Sequence, residues 1–111
     1  MISSESAEHF TWGQQCDGWH LAKTPDLSVI QKRMPAGSYE VRHYHKGSRQ
    51  FFFVLSGMLT IETAGSTATL SQLQGLEIAP GEAHQAFNRS GEDVVFLVIS
   101  QPSSQGDRVV V

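Results

Sequence analysis

From Leu27 onward the chain is a succession of short segments in which apolar and polar residues alternate, each closed by a turn signal. The segments are Leu27–Met34, Glu40–His45, Gln50–Leu55, Met58–Thr63, Thr67–Leu70, Leu76–Ile78, His84–Asn88 and Val94–Ser100. Between them stand Pro35-Ala36-Gly37, Lys46-Gly47-Ser48, Ser56-Gly57, Ala64-Gly65-Ser66, Pro80-Gly81-Glu82 and Ser90-Gly91-Glu92, residues that reverse a chain at low steric cost. β-branched and aromatic residues crowd the segments, and no long stretch carries a 3.6-residue period. The pattern predicts an all-β chain of roughly seven or eight short strands, folded as a sandwich or barrel.

Two segments break the alternation. Phe51-Phe52-Phe53-Val54-Leu55 and Val94-Val95-Phe96-Leu97-Val98-Ile99 are nearly continuous apolar runs, so both of their faces call for cover. Either the N-terminal aromatics Phe10, Trp12 and Trp19 or a partner subunit supplies it. A homodimer is the favoured expectation, because Phe51, Phe53 and Leu55 in one row on a monomer would impair solubility. Residues 1–26 read as an N-terminal segment covering the barrel or the partner, and residues 27–111 as the barrel itself. The tail Gln101–Arg108, with Pro102 and Gly106, reads as an irregular connection.

Composition narrows the function classes. A chain of 111 residues with 40% hydrophobic and 17% charged residues has the size and balance of one globular domain. A net charge of −3 gives no electrostatic reason to bind nucleic acid. No apolar run approaches the roughly 20 residues of a membrane span, and residues 1–15 lack the pattern of an export signal. Cys16 stands alone, which excludes an internal disulfide and a Cys-rich zinc module. A cytoplasmic protein is expected. The five histidines are the feature composition leaves unexplained.

His43 and His45 lie two apart on a predicted strand, so both imidazoles leave the same face and can converge on one ion. Gln50 follows across the turn Lys46-Gly47-Ser48-Arg49, and His84 opens another strand after Pro80-Gly81-Glu82-Ala83. His9 and His20 share no such spacing. Two blocks frame the candidates. The first runs Gly37, His43-Tyr44-His45, Gln50, Gly57; the second, GLEIAPGEAHQAFN, carries Gly75, Pro80-Gly81, His84 and Asn88.

Together these blocks resemble the two signature motifs of the cupin superfamily, in its small single-domain branch. Ala79 replaces the first Pro of the second motif, its leading Gly aligns imperfectly, and Gln50 stands where most members have Glu. The resemblance implies a jelly-roll β-barrel, commonly dimeric, with His43, His45, Gln50 and His84 as the four ligands of one divalent metal. Three neutral imidazoles and a neutral amide leave the ion's charge uncompensated, which favours an anionic partner in its open positions. Such a donor set suits Zn, Fe, Ni or Cu, and Mn through the hard amide oxygen.

Strand parity sets Phe52 and Val54 beside Gln50, and Ala86 beside His84, as expected lining of a substrate pocket. Asn88 is expected to satisfy backbone groups at a turn. Glu40, Arg42 and Tyr44 alternate with the histidines and are expected on the outer face. Glu77, Arg33 and Gln31 are weak candidates for an acid, a base or an anion clamp, and Cys16 reads as a bystander. The expectation is a small metalloenzyme of dioxygenase, isomerase, lyase or decarboxylase type acting on an oxygen-rich or anionic molecule. The alternative is a non-catalytic module that binds or senses a sugar-like ligand, since fold and site type are shared across chemistries.

Overall fold

Eleven antiparallel strands and no helix make up the chain, which a computed structural model describes over residues 1–111. In order they are β1 (Glu8–Trp12), β2 (Cys16–Lys23), β3 (Ser28–Met34), β4 (His43–His45), β5 (Arg49–Ser56), β6 (Leu59–Thr63), β7 (Thr67–Leu70), β8 (Gly75–Ile78), β9 (His84–Phe87), β10 (Val94–Gln101) and β11 (Arg108–Val110). Six form one sheet in the order β1-β2-β3-β10-β5-β8, and five form the other in the order β11-β4-β9-β6-β7. The two sheets are the halves of a jelly-roll barrel. No helix is long and apolar enough to cross a membrane.

All eight predicted segments are strands, with one shortened: the ladder of Glu40–His45 survives only as β4. Three strands lie where alternation is too weak to read. β1 and β2 form a hairpin registered Phe10↔Gly18 and Trp12↔Cys16, and β2 continues the sheet through Trp19↔Gln31. Residues 8–23 are therefore part of the barrel sheet rather than a separate cover. β11 is a three-residue edge strand on β4, far too short to announce itself by periodicity.

Register decides what faces inward. Along the six-stranded sheet one inner row runs Phe10–Gly18–Lys32–Phe96–Val54, and the next His20–Ile30–Val98–Phe52–Leu76. A third runs Ser28–Ser100–Gln50–Ile78. The first two feed a core in which Phe96, Met34, Val54, Leu59, Ile61 and Val94 are sealed from solvent. Gly57 makes the β5–β6 turn possible: its φ is +85°, and a Cβ there would lie 2.5 Å from the Asp93 carbonyl.

The outer row Trp19–Gln31–Leu97–Phe53 and its neighbours Val29, Ile99 and Phe51 form an apolar face on this sheet, with Phe51 39% exposed. Phe10 and Trp12 do not cover it. They turn to the opposite side, where the tip of the Phe10 ring lies so close over Gly18 that a Cβ there would force the ring to shift. Of the two covers the sequence allowed, the aromatics of β1 thus serve the interior instead.

Phe96 is 1% exposed and its ring stacks 6.1 Å from Phe52. Phe96→Ala is expected to cost about 3–5 kcal/mol, seen as a lower denaturation midpoint at unchanged slope in a urea titration.

Candidate metal centre

Three imidazoles meet inside the barrel because of two register facts. His43 and His84 are direct partners across β4 and β9, and His45 follows His43 on the same face. Ligand nitrogens of His43, His45 and His84 all lie within 4.8 Å of one another, and all three residues are buried. They form a group that could hold a metal ion.

Each ring is fixed through Nδ1. His43 Nδ1 donates to the Val41 carbonyl at 2.7 Å, and His84 Nδ1 to the Glu82 carbonyl at 3.0 Å. A carbonyl only accepts, so the proton sits on Nδ1 and the Nε2 lone pair is left free. His45 Nδ1 bonds the Asp107 carboxylate at 2.7 Å. Asp107 also accepts from the Gly47 and Ser48 amides at 3.1 and 3.0 Å, so one carboxylate orients both the ring and the turn after it. Carboxylate or carbonyl bonds to the remote nitrogen are the usual support of a metal-ligating histidine.

Gln50 faces the imidazoles from the other sheet. Its Nε2 donates 3.0 Å to Ser100 Oγ, its register partner on β10. Its Oε1, and the Nε2 of His84, are buried without any hydrogen-bond partner. Buried polar atoms are rarely left so, because desolvation without a bond is costly. A borderline divalent cation taking up both lone pairs would remove the penalty, and imidazole nitrogens with an amide oxygen are donors that suit one.

Burial holds the His43 pKa down at about 3, and lowers that of His45 despite the opposing Asp107 bond. Both rings therefore stay neutral, the form a metal requires. Burial works against ionisation of Asp107, but its bonds from His45, Gly47 and Ser48 outweigh it and keep the carboxyl below its usual range.

A cavity of about 330 Å³ opens beside the group. His43, His45, Gln50, Phe52 and Ser100 line it together with Phe10, Trp12 and residues Ser104, Gln105, Gly106 and Arg108. Phe52 lies where parity expects it. Val54 and Ala86 share the inward orientation but are sealed in the core and do not reach the cavity. The candidate acids and bases fare differently. Arg33 points outward to Asp17 and Asp93, Glu77 is exposed and paired with Arg49, and Gln31 sits in the outer row beside Leu97. Asn88 bonds the Met34 and Glu92 carbonyls at a turn, as expected. His9 and His20 stay on the β1–β2 hairpin, outside the group.

Three charged residues line the cavity in their place: Lys32, Glu40 and Arg108. Lys32 alternates with Gln31 and Arg33 and so takes the inner face, its ammonium 4.7 Å from the Trp12 ring centre. Glu40, expected outside, is buried. The ladder lapses between Glu40 and His43, strand parity lapses with it, and the Glu40 carboxylate turns inward to accept from the Ala86 amide at 3.1 Å. Burial raises its pKa, an effect that Lys32 and His84 oppose.

A family model described as Cupin domain matches residues 30–100. KdgF from Halomonas sp. superposes with a TM-score of 0.84 at 18% identity, covering 93% of this chain and 94% of that one. A predicted oxalate decarboxylase from Thermotoga maritima gives 0.82 at 18% identity, covering 93% and 99%. The polyketide cyclase RemF from Streptomyces resistomycificus gives 0.84 at 14% identity, covering 100% and 84%. These likenesses establish the fold. No curated protein sequence matches the chain.

The depressed imidazole pKa values set an acid limit for the metal-free protein. The unfolded chain takes up protons near the ordinary histidine value of 6.5, while folded His43 does so only near 3. Stability is thus full above about pH 7 and declines as pH falls through that window. Glu40, its pKa raised, acts in the opposite sense, so the comparison is made between variants. Thermal midpoints recorded from pH 7 to 5 should fall more steeply in the wild type than in His43→Asn; equal slopes would contradict the assignment.

Proposed function

The chain belongs to the Cupin domain family, and on that premise we propose that His43, His45, Gln50 and His84 hold one divalent transition metal. The cavity beside them takes a small oxygen-rich or anionic molecule, and the protein acts on it as an enzyme. The observation that carries this reading is the pair of buried, partnerless atoms, Gln50 Oε1 and His84 Nε2, facing the same interior as the His43 and His45 rings. Zn, Fe, Ni, Mn and Cu are all compatible with three imidazoles and an amide oxygen. When bound, such an ion supplies a Lewis acid that polarises a substrate oxygen, or a redox centre if it is iron.

The chain's own residues do the rest. Asp107, Val41 and Glu82 hold the imidazoles in one tautomer and one orientation. Phe10, Trp12 and Phe52 limit water around the substrate. Glu40 is the only carboxylate lining the cavity, and burial raises its pKa above the usual carboxylate range, the direction that suits a proton-transfer group. A proton-transfer group inside the cavity favours an enzyme over a binding or sensing module.

The outer apolar face of the six-stranded sheet supports a homodimer. Phe51 and Phe53 stack there at 6.3 Å, flanked by Leu97 and Ile99, with Phe51 39% exposed.

Three measurements test this reading. Elemental analysis of protein purified without chelator or metal-binding tag should find about one divalent transition ion per chain, and His84→Ala should abolish it. A metal-free wild type would refute the site. Gln50→Glu, which adds a negative ligand, should tighten binding, whereas Asp107→Asn should weaken it by roughly 10–100-fold. In sedimentation velocity the protein should run as a dimer, and the double variant Phe51→Lys, Phe53→Lys should run as a monomer that retains its metal.

A further inference from the structure

We propose that Lys32 and Arg108 form a carboxylate-binding subsite within the cavity, so that it selects small organic acids carrying an additional hydroxyl or keto oxygen. The inference rests on the metal-site reading for the second oxygen and on the cavity's own charges for the first.

Both cations belong to the cavity by register. Lys32 stands on the inner row between Gly18 and Phe96. Arg108 is the direct partner of His45 across β11 and β4, so its side chain leaves the same face as the imidazole. Both line the cavity with His43, His45 and Gln50.

Neither has an anionic partner in the chain. Lys23, Arg33, Arg49 and Arg89 are each in an ion pair, with Glu8, with Asp17 and Asp93, with Glu77 and with Glu62. Lys32, Arg42, Lys46 and Arg108 make no such pair, and of these four only Lys32 and Arg108 line the cavity; Lys32 lies against the face of Trp12. Burial lowers the Lys32 pKa and the charge of Glu40 opposes it from beyond ion-pair distance, so the ammonium is only partly compensated. Glu40 is not close enough to pair with it and already accepts from the Ala86 amide.

The remaining donors are neutral. Three imidazoles and an amide leave a bound divalent ion uncompensated, so cavity charge is positive by more than Glu40 can offset. A carboxylate on the ligand satisfies Lys32 and the Arg108 fork together. A hydroxyl or keto oxygen elsewhere on the same molecule then reaches the metal side. The volume of about 330 Å³ falls at the small end of ligand pockets, which restricts the acid to a few carbons or a single sugar ring.

The test compares matched pairs that differ only in the carboxylate: D-glycerate against glycerol, and D-glucuronate against D-glucose. Binding is measured by calorimetry on metal-loaded protein and on protein stripped by chelator. The acid of at least one pair should bind wild type ten or more times as tightly as its neutral partner, and more weakly as salt rises. Lys32→Met, which keeps the stem over Trp12, should abolish that preference without changing metal content. Arg108→Gln, at an exposed rim position, should reduce it severalfold and serves if the first variant does not fold. Stripped protein should keep the acid preference at lower affinity, since the cations remain; this separates failure of the subsite from failure of the metal site. A preference that survives in Lys32→Met, or is undiminished in Arg108→Gln where that variant stands in, or no acid preference in either form of the wild type, overturns the subsite. So does stronger binding of glycerol 3-phosphate than of glycerate, which would make the ligand a phosphate ester.

Discussion

Three imidazoles share the inside of a barrel that is otherwise filled largely with hydrocarbon, and every one is held there by its Nδ1. Without the Val41 and Glu82 carbonyls and the Asp107 carboxylate, each buried ring would carry an unsatisfied donor. With them, the rings are locked in one tautomer and turned so that their remaining lone pairs gather. The bonds are short in sequence for His43 and His84, two residues in each case, and long for His45, whose partner lies sixty-two residues away. Two ligands are therefore set by local chain geometry, and the third waits on the docking of β11.

The barrel is divided along its length by the same logic of satisfaction. Toward one end the inner rows carry Phe96, Val54, Met34 and Leu59, which need no partner. Toward the other they carry Ser28, Ser100, Gln50 and the histidines, which do. Ser100 shows how the boundary is kept: it accepts from the Gln50 amide and so commits the Gln50 oxygen to the interior. A serine on β10 thus aims a side chain on β5.

Much of this is legible in the amino-acid sequence through strand parity. Parity sets His43, His45 and Gln50 on inward faces, and the spacing of the two motifs brings His84 to them. The same parity sets Lys32 inward, between Ile30 and Met34, although a lysine among such neighbours looks like a solvent-facing residue and its neighbour Arg33 the likelier anion clamp. Glu40 is beyond the reach of parity, because its ladder lapses before His43 and an unpaired stretch has no obligatory alternation. Asp107 is less accessible still. It sits in a segment with no period, and its importance comes from a contact made across most of the chain. β1 and β2 escape the pattern because a glycine that accommodates Phe10 looks, in sequence, like a break in a strand.

The residues that hold the rings and those that charge the cavity come from different strands. The proposed ligands rise from β4, β5 and β9, while Lys32 stands on β3 and Arg108 on β11. None of the hydrogen bonds that fix the imidazoles passes through Lys32 or Arg108. Heredity could therefore edit the two separately: under the proposed subsite, a change at Lys32 or Arg108 alters which molecules are admitted and leaves the supports of the imidazoles intact. In a fold this small, such separability would let one inherited site be offered to successive ligands.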